Sequence, residues 1–161
     1  MTQFISLIEN AKFLTPLSPI VVTADALATT VVDTQGYEEV TFLVNVGVAG
    51  TADGSNYFDV VIKEGDLANG SDLAVVTSAV KIKAFRVTQA GVATEVTTFT
   101  SGIIHTVNGT TDGTHDNLLV VVSFVSTKRY ANVTLDETGT ASVIFGVNAI
   151  LTHPHVAAVN R

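Results

Sequence analysis

The sequence predicts an all-β protein: an antiparallel β-sandwich or jelly-roll-like barrel with a short N-terminal arm. Three observations predict it. Val, Thr, Ile and Phe are abundant, and these side chains suit a pleated, half-buried surface. They fall in short runs, several of which alternate apolar and polar residues with the period of a strand. Turn signals divide the runs at sandwich-like spacing: Asp53-Gly54, Asn69-Gly70, Ala90-Gly91, Asn108-Gly109, Asp112-Gly113 and Thr138-Gly139. At 161 residues one domain is expected. We divide the chain into an arm over 1–19 and a β-domain over 20–161, with an elaborated insertion at 84–116.

Taken in order, Thr2 to Leu14 set Phe4, Leu7, Ile8 and Ala11 at helical spacing, which predicts a short amphipathic helix. Pro16 and Pro19 end it. Two roles are open to this segment: packing on its own domain, or reaching a neighbouring subunit through Phe4, Leu7, Ile8 and Phe13. Ile20–Thr23 is a short strand. Val31-Val32 leads into Asp33-Thr-Gln-Gly36, a turn whose glycine can supply positive φ.

Val40–Val48 and Tyr57–Lys63 alternate cleanly around a Gly/Asp/Asn-rich loop, and together they read as a β-hairpin with a long tip. Leu73–Thr77, Val80–Val87, Thr94–Phe99 and Gly102–Val107 follow as strands. Leu118–Val125 is the most apolar run and is expected in the centre of a sheet, buried on both faces. Arg129–Leu135 and Ala141–Ile150 complete the domain.

Composition excludes several classes. There is no Cys, so neither a disulfide framework nor a thiolate site can form, and a thiol nucleophile is ruled out. The net charge is −7 and the few basic residues are scattered, so nucleic acid is not an expected partner. The longest stretch free of charge, Thr138 to Asn160, contains Gly, Asn, Pro and His and makes a poor spanning helix. No membrane partner is expected. The N-terminus lacks the basic n-region of a secretory signal. The mean hydropathy of +0.43 is nevertheless high, and subunits covering apolar surface would account for it.

His153-Pro154-His155 sets two imidazoles at i and i+2, a spacing that a third ligand could complete into a metal site, but a His-Pro turn accounts for it as well. His115 lies beside Asp112 and Asp116 in a Gly/Thr-rich loop expected to be solvated, and His105 lies in a strand. The Asp53–Asn56 and Asp66–Asp72 loops carry oxygen ligands, yet neither follows the EF-hand pattern, and Asp, Asn and Gly serve hairpin turns equally. Asn108-Gly-Thr110 and Asn132-Val-Thr134 match the glycosylation sequon. No nucleophile elbow, zinc-protease, P-loop or dinucleotide motif is present. We therefore expect no catalytic residues, no metal, no cofactor and no enzymatic activity. Lys128-Arg129-Tyr130 opens a strand, where it is either a solvated strand start or a positive patch that docks on a carboxylate-rich neighbour.

Two stretches carry a resemblance. The first holds Val21-Val22-Thr-Ala-Asp25, Val32-Asp33-Thr-Gln-Gly36-Tyr37-Glu38 and Phe58-Asp-Val60-Val-Ile62-Lys-Glu64. The second holds Lys128-Arg129-Tyr130, Val133, Leu135 and the late Gly146 and His153-Pro154. Together, over roughly Ile20–Asp66 and Lys128–Val156, the chain resembles the head decoration or capsid-stabilising (cement) proteins of tailed bacteriophages. It departs from their pattern at Glu64-Gly-Asp66-Leu-Ala-Asn-Gly70 and in its larger middle. The resemblance implies a non-enzymatic structural virion protein on the capsid surface, assembled in the host cytoplasm. Its implied partners are the major capsid protein and further copies of itself, as a trimer or, second, a dimer. The alternative is a tail- or fibre-associated sandwich that recognises a host glycan or receptor. The lack of Trp and the presence of only three Tyr speak against that second class.

Overall fold

The computed structural model describes residues 11–27, 30–77, 82–97, 99–109 and 115–154, and these form two antiparallel sheets packed face to face. The strands are β1 (Lys12–Val22), β2 (Ala26–Leu27), β3 (Val32–Asp33), β4 (Tyr37–Ala49), β5 (Tyr57–Gly65) and β6 (Ala74–Val75). They continue as β7 (Ile82–Thr88), β8 (Ala93–Val96), β9 (Ile103–Val107), β10 (Leu118–Phe124), β11 (Tyr130–Thr138) and β12 (Val143–Pro154). The first sheet runs β1-β12-β4-β10-β7-β8. The second is centred on β11 and β5, with β2 and β3 beside β11, and β6 and β9 beside β5. The expected all-β sandwich is therefore the architecture of this chain.

Alternation makes the core. In β4, Val40, Phe42, Val44 and Val46 point inward. In β5, Phe58, Val60 and Ile62 meet them from the opposite sheet. Phe58 packs edge-on against Phe145 of β12 with centroids 5.5 Å apart, and Phe42 stacks with Phe124 at 6.3 Å. Such pairs add roughly 0.5–1.5 kcal/mol beyond area burial.

Several sequence expectations change. β4 and β5 do not form a hairpin: β4 pairs with β12 and β10, and β5 with β11, β6 and β9. The Gly/Asp/Asn loop between them is an arch from one sheet to the other. Both strands carry a full apolar face, and burying those faces against each other requires stacking across the sandwich rather than pairing side by side.

β10 is central, as expected, but only one of its faces is fully buried. Leu118, Val120, Val122 and Phe124 point into the core, while Leu119, Val121 and Ser123 lie half-buried on the outer face. β1 begins at Lys12 and passes through both prolines, so 12–19 belongs to the domain as its edge strand rather than to a separate arm. An edge strand tolerates Pro because one of its sides needs no ladder donor, and the β1–β12 register shifts around Pro16 and Pro19. The helix expected up to Leu14 gives way to strand at 12–14, and residues 1–10 lie outside the described residues. The described residues of the 84–116 stretch are built into both sheets. β7 and β8 form a hairpin in the first sheet, while β9 crosses to the second through a 3-10 turn at Thr100–Gly102.

Candidate functional site

Three regions stand out among the described residues. The outer face of the first sheet is the largest. Pairing sets its rows by register. One row is Asn148–Leu43–Val121–Phe85–Glu95 and the next is Gly146–Asn45–Leu119–Val87–Ala93, each crossing β12, β4, β10, β7 and β8. Leu43, Val121, Leu119 and Val87 are half-buried only because they flank one another. Phe85 is 37% exposed, Ile144 40%, Val125 50% and Phe13 51%. Phe13 pairs with Ile150 and so joins this face. A shallow groove of about 480 Å³ crosses it where Gly47 and Gly146 offer no side chain beside Leu119, Val87 and Ile144.

The other end of this face is polar. The Glu39 carboxylate accepts from the Ser123 hydroxyl and from the Thr152 hydroxyl at 3.4 Å, and it lies 3.1 Å from His153 Nδ1. Ser123 in turn accepts from Thr41 at 3.0 Å. His153, raised in the sequence as half of a metal pair, is thus engaged with Glu39. His155 lies outside the described residues. Among the described residues no group of three or more His, Asp or Glu is placed to hold a metal ion.

The second region is the β10–β11 loop. Glu64 on β5 holds it, accepting from the Thr127 amide at 2.8 Å, the Thr127 hydroxyl at 2.8 Å and the Ser126 hydroxyl at 3.0 Å. The Lys128 ammonium meets Asp66 at 2.5 Å. Arg129 engages Asp33 through Nε at 3.2 Å and Nη2 at 2.9 Å, a two-pronged pairing, and its head lies 5.2 Å over the Tyr130 ring. The Arg129 hydrogen bond is the main reason the Asp33 carboxyl is held below its ordinary value; the Lys128 hydrogen bond does the same for Asp66. Lys128, Arg129 and Tyr130 are therefore brought together as the sequence suggests. Yet both cations are matched by carboxylates of their own chain, and they leave no unpaired positive patch.

The acidic loops use their carboxylates on backbone amides. Asp53 accepts from Ser55 N at 2.7 Å and Asn56 N at 2.9 Å, and Asp72 accepts from Asp66 N at 2.7 Å and Leu67 N at 3.0 Å. This is turn chemistry. Asn132, within one of the sequons, is fully buried in β11.

The third region is a cleft of about 380 Å³ between β7–β8 of the first sheet and β9 of the second. His105 is buried there on β9, a strand as the sequence suggested, and Asp116, in the loop the sequence suggested would be solvated, is buried as well. His105 Nε2 lies 3.0 Å from the carbonyl of His115, and His115 Nδ1 lies 3.3 Å from the carbonyl of Thr106; the rings stack at 6.4 Å. Carbonyls only accept, so those nitrogens carry the protons. Burial pushes His105 down to about 4. Asp116 Oδ2 accepts from Ala49 N at 3.5 Å. Sequence reasoning missed Arg86 at this cleft. The available signal was a cation at an inward position of the apolar run Ile82-Lys-Ala-Phe-Arg86-Val.

Compared with known proteins, the chain matches no family model, no curated relative and no solved structure. No helix among the described residues is long and apolar enough to cross a membrane.

Proposed function

We propose that this protein is a structural coat component that binds a repeated protein lattice through the outer face of its first sheet. Given the sequence resemblance, that lattice is a bacteriophage capsid built of the major capsid protein. The observation that carries the reading is the apolar outer face, with Leu43, Val121 and Phe85 in one cross-strand row and Phe13 and Ile144 flanking it. An apolar sheet face rimmed by a polar cluster is what a subunit interface requires. Modest binding per copy suffices, because a lattice presents its sites many times. Phe13 takes part as a β1 residue of this face. Phe4, Leu7 and Ile8 lie outside the described residues. Lys128, Arg129 and Tyr130 have no part in this reading, since their charges are paired within the chain.

Self-association through the same face, as a trimer or a dimer, belongs to the proposal. The test is cosedimentation with purified heads, with native mass spectrometry of the free protein. Phe85→Asp and Ile144→Asp should each leave the melting temperature within a few degrees and abolish head occupancy. Full occupancy by both variants would overturn the reading. Retention on tail fibres or host glycans, with no binding to heads, would favour the receptor-binding alternative.

A further inference from the structure

We propose that Asn108-Gly109, at the end of β9, is a self-modification site at which the asparagine deamidates through a cyclic imide. Only two asparagines precede glycine, Asn69 and Asn108; every other one precedes a residue whose Cβ shields the next backbone nitrogen. Both are exposed, so exposure does not tell them apart. Their hydrogen bonds do. The Gly70 amide donates to the Leu67 carbonyl at 3.0 Å, and Asn69 Oδ1 accepts from the Ser71 amide at 3.1 Å. The attacking nitrogen and the side chain it would attack are thus both engaged, and Gly70 is held at φ +70 against Leu73 and Val31. Asn108 and Gly109 lie past Val107, the last residue of β9. Among the described residues neither the Asn108 side chain nor the Gly109 amide has a hydrogen-bond partner. The fold also favours glycine at 109, because a Cβ there would come within 3.1 Å of His115 Cδ2. The packing of His115 therefore keeps the labile pair in the chain.

The chemistry needs only water. The Gly109 nitrogen bonds to Asn108 Cγ, the Cγ–Nδ2 bond breaks, and Nδ2 leaves as ammonia carrying the proton that the Gly109 amide gives up. Both reacting groups belong to one chain, so the attack is intramolecular and a five-membered imide closes. Water then adds to one of the two imide carbonyls. Opening at Cγ gives aspartate. Opening at the main-chain carbonyl gives isoaspartate, in which the chain runs through the former side chain. One water enters and one ammonia leaves. Either product adds a negative charge to a chain whose net charge is already −7. Asn108 lines the cleft between β7–β8 and β9, so the new carboxylate appears at that cleft. The isoaspartate route also puts one more carbon into the main chain between Val107 and the Gly109 on which His115 packs.

The experiment incubates the full chain, folded and in urea, in mildly alkaline buffer made with ¹⁸O water, and follows both sites by peptide mass mapping. In the folded chain Asn108 should convert at least about tenfold faster than Asn69, because Asn69 must first break its two hydrogen bonds. In urea the two sites should convert at similar rates, since only structure separates them. Each converted site should carry one solvent oxygen. Electron-transfer fragmentation should find isoaspartate as well as aspartate at 108. Asn108→Gln, whose longer side chain does not close the five-membered ring, should keep its amide at 108 while its backbone ¹H–¹⁵N spectrum verifies the fold. Three results would each overturn the proposal: Asn69 converting as fast as Asn108 in the folded chain, Asn108 keeping its amide there while the chain in urea converts, or aspartate as the sole product.

Discussion

Acidification should destabilise this fold well above the range in which carboxylates titrate, and His105 is the reason. The imidazole is buried between the sheets, and its burial, together with the nearby Arg86 and His115, lowers its value from 6.5 to about 4, against an opposing hydrogen bond to the His115 carbonyl. The unfolded chain therefore takes up this proton first as pH falls. Stability is whole above about 6.5, declines between there and 4, and is level for this group below that. Linkage with those two values gives a loss of about 2 kcal/mol between pH 7 and pH 5. For a domain of this size that is a sizeable fraction of the whole. The assay is urea unfolding at pH 7, 6 and 5 for the native chain and for His105→Gln. Gln keeps a donor for the His115 carbonyl and cannot take the proton. The variant has its own offset from altered packing, so the quantity to compare is the change across pH. Its pH 7-to-5 loss should be smaller than the native one by about 2 kcal/mol. Equal losses in the two proteins would refute the assignment of a buried, neutral His105.

Two further outcomes are expected. Phe58→Ala or Phe145→Ala should each cost about 3–5 kcal/mol in urea unfolding, because both rings are fully buried and pack on each other across the sheets; losses under about 1 kcal/mol would contradict that packing. The Asp33 carboxyl, held down chiefly by its Arg129 hydrogen bond, should titrate by ¹³C NMR below 3.8, and Arg129→Gln should return it toward that value. The stability this pair contributes is present above the ordinary carboxylate range and disappears as pH falls through the lowered value.

Strand identity was legible because a period of two survives in a single sequence: the alternation in 40–48 and 57–63 marks β4 and β5 directly. Strand partners were not legible. Whether β4 and β5 lie side by side or face to face depends on which apolar faces find each other, and the partners β11 and β12 lie 65 or more residues away in sequence. The outer face of β10 misled for a related reason. An all-apolar run predicts burial on two sides, whereas Val121 and Leu119 are sheltered only by their lateral neighbours. Lys128-Arg129 could be read as adjacent cations, but Asp33 and Asp66 stand opposite them only because β11 pairs with β3 and β5. The cleft was the least legible of all. Arg86, His105 and His115 sit on three separate segments, and no local spacing unites them.

The ways a β-sandwich can associate are few, and the particulars of this chain narrow them. Adding strands at an edge is one way. The β1 edge carries Pro16, Pro19 and two register shifts that spoil a continuous ladder. The opposite edge of that sheet, β8, is four residues long, and the flanking strands of the second sheet span two to five. Charge pairing is another way. Four of the described cations are already bound to carboxylates of their own chain, which leaves an acidic surface that repels further copies. Face packing is the third. The outer face of the first sheet combines exposed Phe13, Phe85, Val125 and Ile144 with half-buried neighbours and a groove shaped by Gly47 and Gly146. Each exposed side chain, fully covered, would contribute roughly 1.5–3 kcal/mol before ordering costs. A handful of them can outweigh the repulsion between acidic copies at physiological salt, where surface charges are screened beyond about 8 Å. Association by this face should therefore strengthen with added salt, and a partner held by ion pairs would instead be released by it.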